Sequence, residues 1–192
     1  MSWCEQLARK KEVDKVFRIR GVNRQDRQYH VDLIRKVSNN DLGAAIILAA
    51  VYFEWCVRRC IIALGTSPVT YLREKLNDHR MNAERLQKLW TAEVGKHYPE
   101  LQTLSYIFDS QKNKPKFGNL QLDWKSIDYA RQMRNRLVHG ERCTPLEKNG
   151  QKFVEILLAA SDILVNLAES KGHSIFMIIR RNTNKTVDFQ SK

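Results

Sequence analysis

Apolar residues along this chain recur at spacings of three and four, which is the period of an α-helix. Residues 41–64 differ from the rest because their first half is apolar nearly all round. Such a helix belongs at the centre of a bundle or in a contact between subunits. The sequence therefore predicts an all-α helical bundle around this central segment. Helices are predicted over 2–18, 24–37, 41–64, 69–78, 80–95, 100–109, 123–139 and 151–170.

Residues that begin and end helices support these boundaries. Asn39, Asn40 and Asp41 offer N-caps for the central helix, and Asp123 lies near the start of the helix that ends at residue 139. Gly65 and Gly140 follow the last residues of these two helices, at the position where glycine commonly stops a helix. Both helices are therefore bounded by local sequence signals as well as by their periodicity.

Two segments lack the helical pattern. Residues 110–121 contain proline, glycine, two asparagines and three lysines, and this composition predicts a surface loop. Residues 173–190 are enriched in β-branched side chains around an Asn-rich turn and predict a small β-hairpin. We expect one domain over 1–192, with its core at about 25–170 and an additional N-terminal helix within 1–23.

The charge balance points to a polyanionic partner. The chain has 192 residues, 33 of them lysine or arginine and 21 aspartate or glutamate, so its formal net charge is +12. Nucleic acid is favoured over a membrane surface. An apolar content of 43% excludes a disordered chain, and the longest apolar stretch is about half of the roughly 20 residues that a membrane-spanning helix needs. No secretory signal is recognisable at the N-terminus.

Cysteine usage fits a reducing compartment. Cys4, Cys56, Cys60 and Cys143 are too few for a disulfide scaffold and form no CxxC pair. Cys56 and Cys60 share a helix face at i and i+4, but a metal site would need two further ligands. We therefore expect free thiols, a cytoplasmic protein, and neither a metal nor another cofactor.

The stretch with the clearest chemistry is RQMRNRLVHG, residues 131–140, in which three arginines and a histidine fall within nine residues. Cations are stabilised at the C-terminal end of a helix, so a solvated basic face is one interpretation of the arginines. Arg134 and His139 are five residues apart and would differ by about 140° on a regular helix. They can face one cleft only if the helix ends or unwinds at His139.

An arginine and a histidine suffice for RNA cleavage without a metal. An imidazole can take or give a proton near pH 7, and a guanidinium binds phosphate and stabilises charge developing on it. RNA supplies its own nucleophile, the 2′-hydroxyl. The expected products carry a 2′,3′-cyclic phosphate and a 5′-hydroxyl.

The segment Arg134-Asn-Arg-Leu-Val-His139 resembles the R-x4–6-H motif of the HEPN superfamily, with four intervening residues. That family is an all-helical bundle with the motif on a late helix and a polar residue directly after the arginine, where this chain has Asn135. It often carries an acid on an early long helix, and Glu54 resembles that acid. The resemblance covers about residues 25–170.

The resemblance implies a metal-independent endoribonuclease that acts as a homodimer, with two motifs forming one composite site across a two-fold axis. It implies Arg134 and His139 as catalytic residues, Asn135 as an orienting polar residue, and Glu54 as an ion-pair partner of Arg134. Positive charge suggests further contacts to the RNA substrate. These are Arg131, Arg136, Lys112, Lys114 and Lys116.

Three functions remain open at this point. The first is an endoribonuclease, as in a toxin or antiviral-defence effector held in check by an antitoxin or another regulatory protein. The second is a bundle of the same type that binds RNA, a nucleotide or a protein without cutting. The third is a basic helical DNA-binding regulator, although no recognition helix preceded by a tight turn is evident.

Overall fold

The computed structural model describes residues 26–78, 82–110, 114–141 and 144–176. Within these ranges the chain is mainly helical, which confirms the all-α expectation. A turn of π-helix at Thr91–Gly95 and a 3-10 turn at Pro99–Leu101 lie between two of the α-helices. The α-helices are α1 (Asp26–Ser38), α2 (Leu42–Leu64), α3 (Val69–Asn77), α4 (Ala83–Trp90), α5 (Leu104–Asp109), α6 (Trp124–Val138) and α7 (Thr144–Ser170).

The segment predicted to be central is central. Helix α2 packs along α7, and α1 and α6 each contact both of these helices. Its inward positions are fully or almost fully buried and include small side chains such as Ala45 and Ala49 beside the large Phe53. The ring of Phe53 lies 6.2 Å from that of Phe108, which joins α5 to the same core. Thus α2 organises the bundle and fixes the helices around it.

The predicted helix boundaries follow from local hydrogen bonds. The carboxylate of Asp41 accepts from the backbone N–H of Ala44 at 2.9 Å, and that of Asp123 accepts from Ser126 at 2.7 Å. Each satisfies a donor that a helix N-terminus leaves without an intrahelical partner. Of the three candidates before the central helix, Asp41 is the N-cap, and the N-cap at Asp123 is confirmed.

The expected loop contains a short β-hairpin. Strand β1 (Lys116–Phe117) pairs antiparallel with β2 (Leu120–Gln121), and Gly118 takes a φ of +63° in the two-residue turn between them. The Lys152 ammonium on α7 donates to the side-chain oxygen of Asn119 at 2.8 Å and ties the hairpin to the bundle. The loop assignment for 110–121 was therefore wrong at 116–121.

Other boundaries differ less. Helix α7 begins at Thr144, seven residues before the predicted start at 151. The predicted helix over 80–95 ends at Trp90 and continues as the π-helical turn. The predicted helix over 2–18 lies outside the described residues, as does the part of the C-terminal hairpin beyond residue 176. Among the helices that the structure describes, none is long and apolar enough to cross a membrane.

Candidate active site

Helix α6 ends at the motif. His139 is its C-cap residue, and Gly140 takes a left-handed φ of +72°. The backbone N–H of Glu141 donates to the carbonyl of Arg136 at 2.9 Å, and that of Gly140 donates to Leu137 at 3.0 Å. This pair of bonds is the Schellman motif, which closes a helix around a glycine. The condition under which Arg134 and His139 can serve one cleft, that the helix ends at His139, is met.

Arg134 lies one and a half turns before this end and is half-buried. Its Nη1 donates to the side-chain oxygen of Asn135 at 2.8 Å. In the described part of the chain its Nε is buried and has no hydrogen-bond acceptor, and the Nε of Arg131 is in the same situation. Among the residues described, no carboxylate forms an ion pair with the guanidinium of Arg134. Its charge is therefore contacted by a neutral amide, and one of its strong donors remains unused.

Glu54 has a different partner from the one expected. Its Oε1 accepts from Nη2 of Arg131 at 3.2 Å, whereas the sequence suggested Arg134. Helices α2 and α6 run antiparallel, and this packing places Arg131, one turn before Arg134, level with Glu54. The two arginines are three residues apart and share one flank of α6, so the sequence could not distinguish them.

The guanidinium of Arg131 therefore already binds carboxylates of this chain. Its side chain is 11% exposed, and its Nη1 donates to Asp128 Oδ1 at 3.2 Å while its Nη2 donates to Glu54. This guanidinium links the central helix to α6 and does not present both of its terminal nitrogens to solvent. The expected phosphate contact at Arg131 therefore has to compete with two carboxylates.

The other basic residues predicted to contact RNA differ in their exposure and in their ion-pair partners. Arg136 is exposed, and its Nε donates to Glu141 Oε2 at 2.9 Å. Lys114 is mostly covered and lies 4.0 Å from Asp109, whereas Lys116 is exposed on β1. Lys112 lies outside the described residues. Lys116 is thus the lysine of this group whose described surroundings best suit contact with a nucleic acid.

The imidazole of His139 is exposed, and within the described ranges it makes no hydrogen bond. Val138 beside it is 55% exposed, and Val51 on the facing helix α2 is 36% exposed. Val51 lies one turn from Glu54 on α2, and Val138 lies one turn from Arg134 on α6. We call these two valines with Glu54, Arg131 and Arg134 the α2–α6 surface.

The two thiols that the structure describes lie in the core of the bundle. Cys56 and Cys60 are free and buried. Burial raises the pKa of the Cys56 thiol to about 12 and that of Cys60 well above its usual value, because the thiolate would lose its hydration. Neither forms a reactive thiolate near pH 7. In the part of the chain that the structure describes, no three potential metal ligands cluster.

Comparison with known proteins does not assign a family. The sequence matches no protein-family model, and searches of curated proteins and of solved structures return no significant match. Inference about function therefore depends on the side chains described above and on their chemistry.

Proposed function

We propose that this protein is a metal-independent endoribonuclease of the HEPN type. The observation that carries the proposal is the end of α6. There an arginine that has no carboxylate partner among the described residues precedes an exposed histidine, and a glycine stops the helix directly after that histidine. An unneutralised guanidinium suits a phosphodiester, and an exposed imidazole suits proton transfer near pH 7. The net charge of +12 favours the approach of RNA.

The reaction follows from these two groups. One His139 imidazole accepts the proton of the ribose 2′-hydroxyl while the 2′-oxygen forms a bond to the adjacent phosphorus. Arg134 stabilises the negative charge that grows on the phosphate oxygens. The bond from phosphorus to the 5′-oxygen breaks, and this oxygen takes a proton from an imidazolium. The products are a 2′,3′-cyclic phosphate and a 5′-hydroxyl end.

Separate acid and base roles favour two copies of the chain. A single motif has one imidazole, whereas a homodimer with a composite active site has two, one for each proton transfer. The α2–α6 surface supports this arrangement because Val138, one turn from Arg134 on α6, and Val51, one turn from Glu54 on α2, expose apolar area. Interfaces between identical subunits bury this kind of surface.

The first prediction concerns cleavage itself. Purified protein incubated with total RNA or tRNA in EDTA should release fragments with 2′,3′-cyclic phosphate ends. His139→Ala and Arg134→Ala should each lower the rate by about 10²-fold or more, because each removes a group that acts on the reacting phosphate.

His97→Ala is the matched control, because His97 is also exposed and lies outside the motif. Its rate should equal that of the wild type. Absence of cleavage by the wild type, or equal cleavage by wild type and both motif variants, would refute the nuclease.

A non-catalytic module that binds RNA, a nucleotide or a protein is the alternative. One observation favours it: no described side chain hydrogen-bonds to the His139 imidazole and orients it. Under this alternative, salt-dependent RNA binding survives His139→Ala and no products form. Measuring both RNA binding and RNA cleavage in the same incubation separates the nuclease from the binding module.

For the biological setting we propose a toxin or antiviral-defence effector in a reducing cytoplasm. Free buried thiols at Cys56 and Cys60 suit that compartment. An unregulated ribonuclease harms its own cell, so an antitoxin or another regulatory protein would be its natural partner. Co-expression that restores growth to cells producing the wild type, but that is unnecessary for the His139→Ala variant, would identify such a partner.

A further inference from the structure

We propose that Arg131 is a positioning residue that sequesters the Glu54 carboxylate and thereby keeps Arg134 free for an RNA phosphate. The inference rests on the proposed function, and it assigns Arg131 and Glu54 roles that differ from direct substrate contact. In this arrangement, Glu54 is not the acid that orients the catalytic arginine. It is an acid that must be held away from that arginine.

The geometry of α6 makes the two arginines unequal. Arg131 donates from both terminal nitrogens, to Glu54 and to Asp128, each at 3.2 Å, and its side chain is 11% exposed. Arg134 donates to the neutral oxygen of Asn135. The guanidinium surrounded by carboxylates is thus the one further from His139, and the guanidinium nearer to His139 has none among the described residues.

A small shift along α6 would allow Glu54 to pair with Arg134 instead of Arg131. Residues at i and i+3 on a helix are neighbours, with Cβ atoms about 5–6 Å apart, and Arg131 and Arg134 have this spacing. Among the described residues, neither the buried Nε of Arg134 nor that of Arg131 has an acceptor. The Nε of Arg134 would bind a carboxylate that moved by one helical turn. The hydrogen bond from Arg131 Nη2 to Glu54 holds this carboxylate in place and so disfavours its movement to Arg134.

Such a move would weaken the site for an electrostatic reason. A carboxylate on Arg134 would neutralise the charge that stabilises the phosphate and would occupy donors that the phosphate needs. It would also place a negative charge beside an anionic substrate. Loss of Arg131 should therefore reduce both RNA affinity and cleavage, although Arg131 itself need not touch RNA.

A double-mutant cycle tests this assignment. Arg131→Gln should lower kcat/KM for a short RNA at least tenfold, because Glu54 then pairs with Arg134. Adding Glu54→Gln in the same chain should restore at least tenfold, because the competing carboxylate is gone. The matched control is the interhelical pair Arg35 and Glu155, at 3.2 Å between α1 and α7. Arg35→Gln should leave kcat/KM unchanged.

Two readouts separate this role from a structural one. RNA affinity in a His139→Ala background should fall with Arg131→Gln and recover in the double variant. The ¹⁵Nε–H resonance of Arg134 should shift in Arg131→Gln, with or without RNA, and return when Glu54→Gln is added. Melting temperatures of all variants should be recorded, because a purely structural pair would lose stability without recovery of affinity.

The outcomes are distinct from those for the nuclease itself. If the wild type cleaves RNA and the double variant is no better than Arg131→Gln, the sequestration is refuted, and a direct phosphate contact at Arg131 explains its loss. If the wild type does not cleave RNA, the proposed nuclease fails, and the Arg134 resonance still decides whether Glu54 changes partner. An unchanged resonance in Arg131→Gln refutes the sequestration in either case.

Discussion

Buried charge is treated in opposite ways at two places in this protein. Glu93, 8% exposed on the π-helical turn, accepts from the backbone N–H of Ser67 at 2.9 Å, from the Ser67 hydroxyl at 2.8 Å and from Thr66 Oγ1 at 3.3 Å. Both oxygens of this carboxylate are used. At Arg134, by contrast, a buried donor is left open. A buried polar group without a partner costs stability. Among the described residues, Arg131 Nε, Tyr52 Oη and Ser174 Oγ are in the same situation as Arg134 Nε. The functional interpretation of Arg134 therefore depends on its position beside His139 and not on the unpaired donor.

Glu93 gives a prediction on stability against pH. Burial by itself would raise the pKa of Glu93, but the hydrogen bonds from Ser67 and Thr66 outweigh it and bring the pKa below its usual 4.5. The carboxylate therefore stabilises the fold fully above about pH 5, and this stabilisation is lost as the pH falls through the lowered pKa. Glu93→Gln should reduce the free energy of unfolding at pH 7 by about 1–3 kcal/mol.

Urea unfolding at pH 7 and at pH 3.5 measures this effect. The difference between wild type and Glu93→Gln should shrink at the lower pH. Glu84→Gln is the control, because Glu84 forms an exposed pair with Lys88 one turn away, and exposed pairs contribute little. An equal deficit of Glu93→Gln at both pH values would show that the charge of Glu93 is not what binds the 65–67 loop.

At the scale of elements, periodicity and capping residues predicted most helices, because both act through neighbours in sequence. The hairpin at 116–121 was missed although Gly118-Asn119 is a two-residue turn of the kind that joins paired strands. The overall composition of 110–121 is that of a loop, and this dipeptide is the signal for the hairpin within it. The partner of Glu54 could not be predicted, because it depends on how two helices far apart in sequence are aligned. Local signals therefore predicted the end of α6 but not the ion pair beside it.

The end of α6 can be tested against a second helix end with the same geometry. Gly140 and Gly172 have φ values of +72° and +79°, and a Cβ at either would meet nothing within 4 Å. Alanine at each position should therefore cost about 1 kcal/mol through backbone strain alone. Gly140→Ala should additionally lower RNA cleavage, because it disturbs the backbone turn directly after His139.

Gly172→Ala is the control for that experiment, because Gly172 lies just past the end of α7, away from the motif. This variant should lose the same stability without loss of cleavage. Thermal melts and initial rates on one RNA measure the two effects. Equal cleavage by Gly140→Ala and Gly172→Ala would show that the turn after His139 is only structural. Asparagine tolerates the left-handed region better than alanine does, so Gly140→Asn should recover part of the lost rate.

At the scale of the molecule, the bundle leaves one side of its central helix partly open. Helix α2 buries its inward positions against α1, α6 and α7, while Val51 on its outer side is 36% exposed. Val138, one turn beyond Arg134 on α6, is 55% exposed. This side of α2 is where we propose that a second copy of the chain packs, because an apolar helix can serve both core and interface.

The last prediction follows from this surface. Val51→Asp or Val138→Asp should convert a dimer into a monomer, because each places a charge in the proposed contact without disturbing the core. The mass from sedimentation or light scattering should fall from twice 22.5 kDa to 22.5 kDa. Cleavage should fall at least tenfold, since a composite site needs both histidines. Tyr106→Asp, at a side chain 47% exposed on α5, should keep the mass and the rate of the wild type. A wild type that is monomeric at micromolar concentration and fully active would refute the composite site while leaving a single-chain nuclease intact.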